Sequence, residues 1–136
     1  MGIAFSISYA ATTNEWVWLN HGTILESAYG IIRCGLSFDK MMEVRYGHPS
    51  EGFCATTDIR VGYQYAHMNP ASLTPVVLGF SIPYVTLQGF QTSGLVIEDI
   101  KDQAYCFLPE TFPKMNREMT NFSVKRLPEL NIRFDE

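Results

Sequence analysis

The run Val76-Val77-Leu78-Gly79-Phe80-Ser81-Ile82 lies between Pro75 and Pro83. Proline lacks a backbone donor and is excluded from the middle of helices and sheets, so the two prolines mark the limits of one element. A short run of Val, Leu, Ile and Phe between such limits suits a buried strand. The chain must therefore build a sheet and cover it. Other apolar runs are also short. Residues 3–10 alternate loosely and predict a strand, followed by a turn at Thr12-Thr13-Asn14. Trp16 to Leu19 predicts a second strand, ending in the polar triplet His21-Gly22-Thr23. On it, Trp16 and Trp18 share one side and are expected in the core.

Helical spacing appears twice, early in the chain. Leu25, Ala28, Ile31 and Ile32 predict a helix from about Ile24 to Cys34, closed by Gly35-Leu36. Residues 37–51 are polar and read as a loop. Gly52 to Thr56 reads as a short strand. Thr57 or Asp58 then caps a helix over Ile59–His67, which Asn69-Pro70 ends. Val85 to Phe90 fits helix or strand. Gly94–Ile97, Ala104–Leu108 and Phe122–Val124 read as strands, with a turn or short helical piece at Pro109–Phe112. Two early helices among many short strands indicate an α+β fold with mostly antiparallel sheets.

At 136 residues, with 46% apolar and 18% charged residues, the chain is expected to fold as one domain over 1–136. A net charge of −4 argues against sequence-independent nucleic-acid binding. Five of its ten cations (Lys114, Arg117, Lys125, Arg126, Arg133) fall late and are interleaved with Glu118 and Glu129, as on a solvated face. Cys34, Cys54 and Cys106 lack CxxC spacing and nearby histidines, so neither a zinc site nor a disulfide framework is expected, and reduced thiols are the default. No run has the length of a transmembrane helix, and the apolar opening lacks a signal peptide's basic start. No Gly-x-Ser-x-Gly elbow or phosphate loop is present.

Three motifs stand in order. His21-Gly22-Thr23 leads into a helix. Gly52-Phe53-Cys54-Ala55-Thr56-Thr57-Asp58 leads into a second helix bearing Tyr63-Gln64-Tyr65-Ala66. Asp102-Gln103-Ala104-Tyr105-Cys106-Phe107 opens a late strand. Together they resemble the ADP-ribosyltransferase superfamily in its diphtheria-toxin and poly(ADP-ribose) polymerase branch. The resemblance spans about Trp16 to Leu108. It implies two antiparallel sheets in a split sandwich, with NAD held as substrate in the cleft between them.

By that resemblance His21 would bond an adenosine ribose hydroxyl, the Gly22 backbone would pair with the nicotinamide carboxamide, and Thr23 would add a hydroxyl contact. Tyr65 matches the family's second stacking tyrosine. Cys54 stands where the first belongs, and Gly62 where the polymerases carry a serine. Gln103 takes the place of the glutamate that stabilises the charge developing on the ribose. An amide there would cost ~2–4 kcal/mol of transition-state stabilisation if it resembles the loss of one oxyanion donor. Glu98 or Glu110 would be the alternative carboxylates.

The implied activity is mono-ADP-ribosylation of a macromolecular target, in place of polymer synthesis, by a toxin or effector acting in a cytoplasm, with no nucleic-acid or membrane partner. The departures at Cys54 and Gln103 leave open an inactive relative that binds a ligand or protein. Taken without the resemblance, His21 is a strand-end histidine bonded to a turn, Tyr65 is core, Cys54 is a buried thiol and Gln103 is a surface residue.

Overall fold

The computed structural model describes residues 15–37, 39, 52–68, 73–101 and 103–126. The expected strand over 3–10, the turn at 12–14, most of the 37–51 loop and the Asn69-Pro70 stop lie outside these residues. The proline-bounded run is the long central strand β3 (Pro75–Pro83), whose interior is buried throughout. It pairs antiparallel with β1 (Trp16–Ile24) over nine consecutive positions, from Trp16↔Pro83 to Ile24↔Pro75. Both prolines thus sit at the ends of the ladder, where a missing donor costs least.

On its other side β3 pairs with β6 (Thr120–Arg126), with an irregularity between Gly79 and Ser81. The remaining strands among the described residues are four residues each: β2 (Phe53–Thr56), β4 (Val96–Asp99) and β5 (Ala104–Phe107). All six form one antiparallel sheet in the order β4-β5-β2-β1-β3-β6. Where the sequence predicts two sheets, the described residues form this one, with three strands on either side of the β1–β2 joint. A single residue pair, Asn20↔Thr56, joins them.

Among the described residues four α-helices pack on this sheet: α1 (Leu25–Cys34), α2 (Ile59–His67), α3 (Tyr84–Thr92) and α4 (Phe112–Glu118). One face of the sheet presents Leu19, Phe53, Phe80, Ile82 and Phe107 to Leu87 and Phe90 of α3 and to Phe112 and Met115 of α4. Ala28 of α1 closes the same face over Val76 and Leu78. Helix α2 lies on the opposite face, where Gly62 approaches Asn20 and Val77. None of the helices among the described residues is long and apolar enough to cross a membrane.

Several sequence expectations change. The segment Val85–Phe90, undecided from periodicity, is helical because Leu87 and Phe90 lie three apart and both turn inward. Helix α4 escaped the reading, although a first-turn proline and the Phe112/Met115 spacing mark it. It follows a 3₁₀ turn at Pro109–Thr111. Strand β1 runs on to Ile24, so His21-Gly22-Thr23 lies inside a strand instead of at its end. Pairing with β3 extends it. Trp16 and Trp18 do share a side, but it is the side away from the core, and they are 51% and 43% exposed. The Trp18 ring lies against Gly79, where a Cβ would collide with it, and its Nε1 donates to Asn20 Oδ1 at 3.2 Å.

Two substitutions probe this architecture. Phe80 is fully buried, and Phe80→Ala is expected to cost about 3–5 kcal/mol in denaturant unfolding. Asp58 caps α2, its Oδ1 accepting from the Arg60 amide at 2.9 Å, and that bond holds its carboxyl below the usual range. Asp58→Ala should cost about 1 kcal/mol at neutral pH, and Asp58→Asn less. Because the folded pKa is the lower one, the difference between wild type and Asp58→Ala is full above the unfolded carboxylate value of about 3.9 and vanishes as pH falls through the folded value. Chemical denaturation of both proteins between pH 2.5 and 7 measures it.

Candidate functional site

Beyond Asn20↔Thr56 the strands β1 and β2 part, and side chains span the divergence. Asn20, 3% exposed, donates from Nδ2 to the Thr56 carbonyl at 3.2 Å. One residue on, the His21 ring lies 2.6 Å from the Cys54 carbonyl through Nδ1. A carbonyl only accepts, so Nδ1 carries the proton. The same ring packs on Phe53 with centroids 4.2 Å apart. His21 is thereby held in place and in tautomer by two residues of β2.

Gly22 turns the other way, beneath α2. A Cβ there would collide with the Gly62 carbonyl, and would crowd the Ala66 amide and Tyr65 Cβ. The glycine is thus required by helix packing alone, before any ligand is considered. Gly62 is itself close-packed, since a Cβ would sit 3.3 Å from Asn20 Cβ. Tyr65 is half-buried on the last turn of α2, beside Gly22. Thr23 pairs with Val76 inside the β1–β3 ladder and is half-buried.

The opposite lip corrects the reading of the cysteines. Cys54 and Cys106 face each other directly across the β2–β5 ladder, with Cα atoms 4.0 Å apart, and form a disulfide. Cys34 is the free, exposed thiol. The residues are 52 positions apart, so only the strand register brings them together, and spacing rules had nothing to detect.

Gln103 sits at the far end of β2. It occupies the turn between β4 and β5 with φ 51°, its carbonyl accepts from the Thr57 amide at 3.2 Å, and its Oε1 accepts from Thr57 Oγ1 at 2.9 Å. Thr57 is three residues beyond Cys54, about 10 Å along a strand. The β5 residue opposite Cys54 is Cys106. Gln103 lines a separate open depression of about 210 Å³ with Thr57, Glu98, Asp99, Ile100 and Tyr105. Burial, with the Glu98 carboxylate and Tyr84 adding to it, pushes the Tyr105 phenol above its ordinary value. Glu98 pairs with Tyr105 across β4–β5, and Glu110 is exposed in the 3₁₀ turn.

The structure therefore brings His21 to Cys54, and Gly22 to Gly62 and Tyr65. It ties Gln103 to Thr57. Asn20, Phe53 and Cys106 complete the surroundings and were not singled out from the sequence. For Cys106 no local signal exists. Comparison with known protein families, with curated proteins and with solved structures finds no match to this chain.

Two measurements check this geometry. Gly22→Ala should destabilise the fold by about 1–3 kcal/mol through overpacking against α2, seen as a lowered denaturation midpoint. Mass-resolved alkylation of the unfolded, unreduced chain should label Cys34 alone, and all three cysteines only after reduction.

Proposed function

We propose that this chain is an ADP-ribosyltransferase-like domain that binds NAD where β1 and β2 part and transfers a single ADP-ribose to a macromolecular acceptor, as an effector or toxin domain would. The observation that supports it most is the single-pair joint between the two halves of the sheet, with His21 spanning the divergence and Gly22 under Tyr65 beside it. We read that joint as the split of the two-sheet sandwich that the motifs imply.

In this reading His21 is an orienting group. With its ring held against the Cys54 carbonyl and Phe53, His21 bonds a ribose hydroxyl and fixes the sugar without moving a proton in the reaction. Tyr65 offers a ring face to the flat, cationic nicotinamide. The Gly22 backbone and the Thr23 hydroxyl hold the carboxamide and sugar. Gln103 would act as a dipole toward the charge that develops on the ribose as nicotinamide leaves, which limits the rate relative to a carboxylate.

A second reading is favoured by the Cys54–Cys106 bridge and by the Thr57–Gln103 hydrogen bond. Cys54 is committed to the bridge and Gln103 to Thr57, so neither supplies the tyrosine or the carboxylate that the motifs imply. A domain built this way would bind a ligand or a protein without cleaving NAD.

Incubation with NAD and assay of free nicotinamide separates the two, alongside calorimetry of NAD binding. Transfer predicts nicotinamide release above background, a large loss in His21→Ala, and a gain of about 10²–10³ in Gln103→Glu if Gln103 fills the glutamate's role. Binding without release supports the second reading. No binding and no release removes NAD from both.

A further inference from the structure

The disulfide is positioned to do more than staple two strands. Strands β2 and β5 are four residues each, and Cys54 and Cys106 are opposed at their second and third positions. Both cysteines are half-buried, within reach of a small reductant. The Cys54 carbonyl is also the acceptor of the His21 Nδ1 proton. Beyond the Asn20↔Thr56 pair, this hydrogen bond and the His21–Phe53 ring contact link β1 to β2. One residue is thus covalently bound to β5 and hydrogen-bonded to β1, at the point where the halves of the sheet diverge.

We propose that the Cys54–Cys106 bridge is a redox-operated clamp on this divergence. Oxidised, it holds β2 against β5 and keeps the Cys54 carbonyl where it fixes the His21 ring. A dithiol opens it by exchange. One reductant thiolate attacks a bridge sulfur and forms a mixed disulfide, and the second displaces it. The reductant leaves as its own disulfide, and two protons end on the Cys54 and Cys106 thiols. Release of the crosslink lets the short β2 segment open locally, and His21 loses its fixed tautomer and orientation. Only the consequence for NAD rests on the proposed function: the oxidised, preorganised lip binds NAD more tightly than the reduced one.

The test uses the full chain with Cys34→Ser, so that the exposed thiol is silent, in air-oxidised, dithiothreitol-reduced and reoxidised states. A Cys54→Ser/Cys106→Ser variant stands for the open form independently of reductant. Hydrogen exchange is followed at residues 53–56 and 104–107 with β3 as internal reference, and the His21 ring signals are followed by NMR against pH. The clamp predicts roughly tenfold faster exchange in those two strands on reduction, with β3 unchanged. It also predicts an altered His21 titration, reversal on reoxidation, and a double variant that behaves as reduced. Equal exchange in both states overturns it, as does a uniform loss of protection across all strands, since the bridge would then be a global staple. Calorimetry adds the ligand arm, in which NAD should bind about fivefold or more weakly to the reduced chain. If neither state binds NAD, the NAD reading fails, while exchange and His21 titration still decide the clamp.

Discussion

Nine successive antiparallel pairs between β1 and β3 are the structure's foundation. Their length sets the alternation that sends Leu19, Phe80 and Ile82 into the main core and leaves Asn20, Gly22 and Val77 to receive α2. A one-residue slip would reverse every one of these positions, exposing the core residues and driving Trp16 and Trp18 inward. The same ladder carries His21-Gly22-Thr23 as rigid strand, so the polar triplet is presented by the best-anchored part of the molecule.

The joint between β1 and β2 is the opposite case. Two well-formed half-sheets meet through one residue pair, and polar side chains make the connection that backbone ladders make elsewhere. Such a seam gathers polar side chains and backbone groups where two half-sheets meet. It also makes the seam sensitive to whatever holds β2. The neighbour that holds β2 most firmly is β5, through four pairs and a disulfide.

Much of the skeleton was legible because its signals are local. Pro75 and Pro83 bounded β3, Asp58 capped α2, and Gly35 closed α1 with φ 82°. Where the reading faltered, a nonlocal cause is visible in most cases. Helical or extended geometry for Val85–Phe90 depended on which residues met the core. The extension of β1 past Leu19 depended on a partner strand sixty residues away. Tryptophans on a strand are ordinarily covered, but α2 lies over the later part of β1 and leaves Trp16 and Trp18 half in solvent. Helix α4 differs, since its proline and apolar spacing were in the sequence.

Of the candidate site, the sequence by itself determined the chemical groups: an imidazole and a glycine in succession, a tyrosine one helix later, and an amide at the start of a late strand. Residue identity and short-range periodicity are enough for that. Only the tertiary structure decided which of these groups meet. Antiparallel register placed Cys106 opposite Cys54, and it directed Gln103 to Thr57 at the far end of β2. Register is set by burial of a whole face of the sheet, summed over strands far apart in the chain, and no local stretch of sequence contains that sum.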